Sequence, residues 1–238
     1  MEYESLAPGL WVCRSDAHSF GTDAFLLADF ARRHPGDRVC DLGTGCGIIP
    51  LLMQRSRAPK TVYAVDIQPD AVAQLETALD RCDPRPAIVP VCADLRALPD
   101  SIPTGLELVT CNPPYFAADA GFLSDSDAAR IARHETECSI ADVCKAAAGL
   151  LKYHGRFCMC CRPERLADVI CAMRESGLEP KRLRTVHKTP AHAPWLFLIE
   201  GQKGARPFLR IEPPLILRSG ADLTDEAAKI CHYGESHT

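Results

Sequence analysis

From residue 41 the chain reads Asp41-Leu42-Gly43-Thr44-Gly45-Cys46-Gly47. Glycines at this density, between an apolar run and a helix-like stretch, let the backbone approach a ligand closely because no Cβ intervenes. A dinucleotide fingerprint, G-x-G-x-x-G counted from Gly43, needs glycine at position 48, and Ile48 stands there. The third glycine comes one place early. Two more carboxylates, Asp66 and Asp94, follow the next two strand-like runs. Asp66 could cap the helix after it and Asp94 could form an Asx turn, but three acids at three consecutive strand ends share the edge where open α/β sheets bind ligands.

A fourth strand-like run leads straight into Asn112-Pro113-Pro114-Tyr115-Phe116. Two prolines fix the backbone and remove amide donors, leaving carbonyls and the Asn112 side chain as acceptors. Such acceptors suit an NH₂ group. An amine conjugated to a ring or carbonyl is a poor nucleophile because its lone pair is delocalised. Acceptors on its hydrogens favour the pyramidal form that attacks. Asn112 Oδ1 and the Pro113 carbonyl fit that task, and Tyr115 offers a face for a planar base, a contact worth about 1–3 kcal/mol in nucleic-acid sites. A rigid turn in which Asn112 bonds its own backbone is the structural alternative.

The elements that position these residues alternate. Strands are expected at 38–42, 61–67, 87–92, 106–111 and 155–161, with helices at 46–55, 69–81, 139–151 and 163–176. Pro69 opens one helix and Gly177 closes another. Two further runs, 180–188 and 195–203, are joined by too short a link for a crossover helix and must pair antiparallel. Ahead of the core lie a strand at 10–13 and a helix capped by Thr22 or Asp23 and running to about 33. With no internal repeat or linker, the chain reads as one domain, 1–238. Its N-terminal extension is 1–36, its core 37–203 and its C-terminal extension 204–238.

This order resembles the class I methyltransferase fold, a Rossmann-like α/β arrangement with a seven-stranded sheet, mostly parallel with an antiparallel final strand. The glycine loop, with its acid two places before Gly43, resembles the loop of that class that binds S-adenosylmethionine (SAM). The resemblance implies that Asp41 faces the methionine amino group, that the glycines line the cofactor and that Asp94 meets the adenine amine. Asp66 ends its strand where a carboxylate can accept from both ribose hydroxyls. Asn-Pro-Pro-Tyr is similar to the motif of methyltransferases acting on adenine N6, guanine N2 or protein glutamine.

Three further segments, Phe20-Gly21-Thr22-Asp23-Ala24-Phe25-Leu26-Leu27-Ala28, Ala132-Arg133-His134-Glu135 and Glu200-Gly201-Gln202-Lys203-Gly204, narrow the resemblance. Over residues 10–231 the chain resembles the bacterial tRNA1(Val) adenine-N6 methyltransferases, which modify the adenosine next to the anticodon. That implies SAM as methyl donor, S-adenosylhomocysteine as product and tRNA as substrate. It places cofactor contacts at Thr22, Asp23, Asp41, Gly43, Thr44, Gly45, Gly47, Asp66, Ile67, Asp94, Leu95 and Asn112. The catalytic set is Asn112, Pro113, Pro114 and Tyr115, and Gly21, Thr22 and Asp23 help close the site. His134 and Glu135 suggest a general acid and base. Transfer from a sulfonium needs little base catalysis, because the methylated amine is acidic enough to lose its proton to water, so His134 is read as an RNA-side or structural residue.

Composition narrows the partners. The formal charge is −4, which excludes binding nucleic acid by bulk charge. Eight basic residues, Lys181, Arg182, Arg184, Lys188, Lys203, Arg206, Arg210 and Arg218, nevertheless fall among two acids between 181 and 218, a local +6 that leaves −10 elsewhere. That segment, with Arg133 and His134, is the expected RNA face. A solvated hairpin face is the plainer alternative. The long polar stretch 117–137 is expected to be a mobile lid over the RNA.

No run is long enough to span a bilayer, and Met1-Glu2-Tyr3-Glu4 opens no signal peptide, so a cytoplasmic protein with no membrane association and no obligate protein partner is expected. The thirteen cysteines read as reduced core thiols, and no metal is expected. Cys158-Met159-Cys160-Cys161 holds one C-x-x-C pair without a second, and reads as a buried strand. Two rivals remain: a protein-glutamine methyltransferase, whose resemblance implies a helical N-terminal domain not read here, and a non-catalytic RNA-binding module.

Overall fold

A computed structural model describes residues 2–15, 18–113 and 138–231. It opens with an antiparallel hairpin, β1 (Glu2–Ala7) and β2 (Leu10–Arg14), turning at Gly9. Helix α1 (Thr22–Phe30) is apolar on nearly every side and is largely buried. Its N-cap is Gly21, without a side-chain cap bond, so the expected capping by Thr22 or Asp23 is corrected: both residues lie inside the first turn.

The core alternates as expected: β3 (Arg38–Leu42), α2 (Ile48–Met53), β4 (Thr61–Asp66), α3 (Pro69–Arg81), β5 (Ile88–Cys92) and β6 (Leu106–Cys111). Beyond the undescribed 114–137 come α4 (Ile140–Leu150), β7 (Leu151–Cys161) and α5 (Leu166–Glu175). Ser139 caps α4 in a reciprocal box with Asp142, which explains why that helix starts where it does. Strands β8 (Leu178–His187) and β9 (Pro194–Lys203) close this series as an antiparallel pair, with β9 lying against β7.

The spatial order β8-β9-β7-β6-β3-β4-β5 is the seven-stranded sheet expected, parallel from β7 to β5. The sheet is nonetheless wider. Two-residue strands β10 (Arg210–Ile211) and β11 (Leu215–Ile216) pair parallel with the free edge of β8 and bring the count to nine. Backbone groups along an exposed edge need partners, and the C-terminal segment supplies them. A small hairpin, β12 (Arg218–Ser219) and β13 (Asp222–Leu223), leads to α6 (Asp225–Cys231).

Both faces of the sheet are covered, so its strands feed two cores in alternation. Cys158 and Cys160 enter one core while Met159 and Cys161 enter the other. The C-x-x-C pair is therefore split across the sheet, and all thirteen cysteines are free thiols. No helix among the described residues is long and apolar enough to cross a membrane.

Candidate active site

Four parallel strands end along one edge, each handing over a residue singled out by the sequence. After β3 the backbone takes left-handed conformations at Gly43 (φ 70°), Gly45 (φ 55°) and Gly47 (φ 77°). Gly43 and Gly45 line a cleft of about 360 Å³, and a Cβ on either would project into open space. Gly47 serves a different purpose. A Cβ there would fall 2.3 Å from Leu75 Cδ1 of α3, so this glycine permits close packing of the helix and does not border the ligand space. Gly47, expected with the other two glycines to line the cofactor, packs against α3 instead of bordering this cleft.

Asp66, at the end of β4, ties the loop down. Its Oδ2 accepts from the Gly45 N–H at 2.8 Å and its Oδ1 from the Gln68 N–H at 2.9 Å, while the Thr44 N–H donates to the Val65 carbonyl. Asp94, after β5, forms the Asx turn: its Oδ1 accepts from the Arg96 N–H, and the Arg96 guanidinium binds both its oxygens. The Arg96 side chain holds the Asp94 carboxyl below the usual carboxylate range. Both acids still line the cleft, with Ile67 and Leu95 beside them, and Ile67 leaves 55% of its surface exposed there.

Asp41 lies beneath the loop, 1% exposed, on β3 beside Thr110 of β6. The Thr110 hydroxyl donates to its Oδ1 at 2.6 Å. Asp41 Oδ2 and Thr44 Oγ1 are buried without a hydrogen-bond partner. Burial pushes the Asp41 carboxyl up to about 7 from an ordinary 3.8; the hydrogen bond from Thr110 opposes this, and the charge of Asp66 adds to it. Thr22 is exposed at the start of α1 and does not border the cleft.

At the end of β6, Asn112 and Pro113 border the same cleft. Asn112 Nδ2 donates to Asp23 Oδ2 at 2.8 Å, and the Cys160 thiol donates to Asn112 Oδ1 at 3.0 Å. The structure thus sets Asp23 against the amide of Asn112 rather than among the residues bordering the cleft. Pro114, Tyr115, Arg133, His134, Glu135 and the expected lid lie outside the described residues. Gln68, Ala93, Cys138 and Ile140 border the cleft without having been read from the sequence. The capping box at Ser139 marks the start of α4, but nothing local says that this start returns to the β5–β6 edge.

This geometry has relatives. A family model described as "Methyltransferase small domain" matches residues 15–130. A protein of Parabacteroides distasonis named tRNA1(Val) (adenine(37)-N6)-methyltransferase is 31% identical over 186 residues, 77% of this chain and 76% of the relative. One of the same name from Bacteroides thetaiotaomicron is 32% identical over the same shares. The chain belongs to this methyltransferase family. A solved structure described as a predicted O-methyltransferase from Agrobacterium tumefaciens superposes with a TM-score of 0.70 at 20% identity, over 89% of this chain and 96% of that one, and so shows the shared fold.

The cofactor of this class I methyltransferase is SAM, and the residues fit it. The unpartnered Asp41 Oδ2 suits an ammonium, and the open space over Gly43 and Gly45 suits a chain laid along the backbone. Exposed Ile67 beside Asp66 and Asp94 suits a nucleoside with an apolar face and polar edges.

The basic segment divides under the structure. Arg182 is 6% exposed, stacked on Phe30 and paired with Glu200 and Glu212, so its place on an RNA face is corrected. Arg184 is taken up by Glu226 and the Pro213 carbonyl. Lys203 donates to the Ala148 and Leu151 carbonyls at the end of α4. Lys181 reaches the Arg206 carbonyl, and Arg206 and Lys188 are exposed.

Proposed function

We propose that the chain transfers a methyl group from SAM to the exocyclic N6 amine of an adenine in tRNA, the adenosine next to the anticodon of tRNA1(Val). The observation that carries this reading is the placement of Asn112 and Pro113, amine acceptors by chemistry, on the cleft bordered by Gly43, Gly45, Asp66 and Asp94. The names of the relatives agree with it.

SAM, when bound, supplies an electrophilic methyl on a sulfonium. Asp41, buried beneath the loop, and Thr44 would hold its amino-acid end, the backbone at Gly43 and Gly45 would let it lie close, and Asp66, Ile67, Asp94 and Leu95 would hold its nucleoside end. The target base, unstacked from the RNA, enters beside Asn112. Asn112 Oδ1 and the Pro113 carbonyl accept the two amine hydrogens, which draws the nitrogen lone pair out of conjugation and aims it into the cleft. Tyr115 supplies the stacking face. Once methylated, the nitrogen loses a proton to water, so no residue is needed as a base.

Incubation with isotopically labelled SAM and unmodified total tRNA, then nucleoside digestion and mass spectrometry, tests this. Labelled N6-methyladenosine is expected from the wild type and at least 100-fold less from Asn112→Ala, the order of loss seen when one transition-state hydrogen bond is removed. No labelled nucleoside, with SAM binding intact, would turn the assignment to a protein glutamine amide.

A further inference from the structure

A side-chain amide has two nearly isosteric ends, and only the oxygen end can accept from a substrate amine. Whatever sets the rotation of the Asn112 amide therefore decides whether that residue works. We propose that Asp23 and Cys160 are positioning residues that hold the two ends of this amide and keep Oδ1 turned to the incoming amine. The inference rests on the assignment of Asn112 as the amine acceptor.

Asp23 Oδ2 lies 2.8 Å from Asn112 Nδ2, and the Cys160 thiol lies 3.0 Å from Oδ1. An ionised carboxylate offers only acceptors, so it selects the NH₂ end; the flipped amide would set oxygen against oxygen. On the other side the thiol donor selects the oxygen. The inventory then leaves one Oδ1 lone pair for a substrate. Donation from Nδ2 to a carboxylate also polarises the amide and makes Oδ1 a stronger acceptor.

The chain is shaped to allow this contact. Asp23 belongs to the first turn of α1, is 9% exposed, and stands 89 residues from Asn112 in sequence. A Cβ on Gly21 would fall 2.6 Å from Asp23 Oδ1, so glycine at 21 leaves room for the carboxylate. Cys160 is fully buried on β7, where alternation points it to the same side of the sheet as α1. A helix from the N-terminal extension and a strand from the second half of the sheet thus meet on one catalytic amide.

The test compares Asp23→Ala, Asp23→Asn, Cys160→Ala, Cys160→Ser and Asn112→Ala for kcat, KM for tRNA, SAM affinity and Tm. Asp23→Ala is expected to lower kcat roughly 10–100-fold, as loss of an orienting partner does at other sites, with KM and SAM affinity within about threefold of wild type. Asp23→Asn, whose carbonyl can still accept from Nδ2, should recover most of kcat. Cys160→Ser, which keeps a donor, should exceed Cys160→Ala.

A second readout is independent of turnover. The side-chain amide resonances of Asn112, identified by their loss in Asn112→Ala, should shift in Asp23→Asn and exchange faster with solvent. Unchanged kcat in Asp23→Ala, or Asp23→Asn as impaired as Asp23→Ala, overturns the positioning role. An active Asn112→Ala instead overturns the amine-acceptor assignment, whatever the Asp23 variants do.

Discussion

Asp41 is an acid whose environment resists its charge. It is buried, one oxygen is served by Thr110, the other has no partner, and its carboxyl sits near 7. An ammonium docked at Oδ2 would favour the ionised form, and SAM bound in that way would couple to proton release from Asp41. On that reading the protein sheds this proton on binding below about pH 7. SAM affinity should therefore rise about tenfold per pH unit up to about 7 and then level off. Calorimetry between pH 5.5 and 8 in buffers of different ionisation enthalpy checks both slope and proton release; Asp41→Asn should abolish both, and a flat profile in the wild type would exclude the linkage. The stability sign is opposite. Because the folded-state value is raised, the contribution of Asp41 to stability is present below about pH 4 and is lost as pH rises through about 7. Ligand-free Asp41→Asn should thus melt higher than wild type at pH 8.

At the scale of elements, the loop between β3 and α2 uses glycine for two unlike reasons, and two variants separate them. Gly47→Ala forces a methyl into Leu75 at a left-handed position, and should cost roughly 1–3 kcal/mol with a lowered Tm. Gly45→Ala meets no protein atom and bears only the backbone cost, about 1 kcal/mol, but its methyl projects into the cleft. SAM affinity should fall more in Gly45→Ala and Tm more in Gly47→Ala; thermal melts with and without SAM decide it. The same loop shows what is legible in a sequence. Strand ends and their acids are, because a buried parallel strand writes its apolar run locally and its ligand edge follows from chain direction. Strands β10 and β11 are not, being two residues each, nor is β1, whose exposed Glu2-Tyr3-Glu4-Ser5 shows no alternating apolar face. The partner of Gly47 lies on α3 and that of Asn112 on α1 and β7, and no local pattern joins residues so far apart.

At the scale of the molecule, charge counted along the chain differs from charge presented to a polyanion. Of the eight basic residues of 181–218, Arg182 is buried, Arg184 pairs with Glu226 and Lys203 is held at the end of α4. What remains depends on which edge of the sheet a residue occupies. His187 pairs with Pro194 and Cys161 with Phe197, so the turn after β8 stands at the same edge as Asn112 and carries exposed Lys188, with Arg162 and Trp195 stacked nearby. Lys203 pairs with Leu178 at the far edge. A tRNA whose adenine enters beside Asn112 must pass its backbone over the first edge, where each phosphate contact adds to the salt dependence of binding. Lys188→Ala should weaken tRNA binding and reduce the slope of log Kd against log salt by about one contact, ~0.7–0.9. Lys203→Ala should leave the slope unchanged and lower stability by about 0.3–1 kcal/mol through loss of its bonds to the α4 carbonyls. Binding isotherms at four salt concentrations, paired with melts, separate the two; a slope that falls with Lys203 and holds with Lys188 would move the RNA path to the opposite edge and away from Asn112.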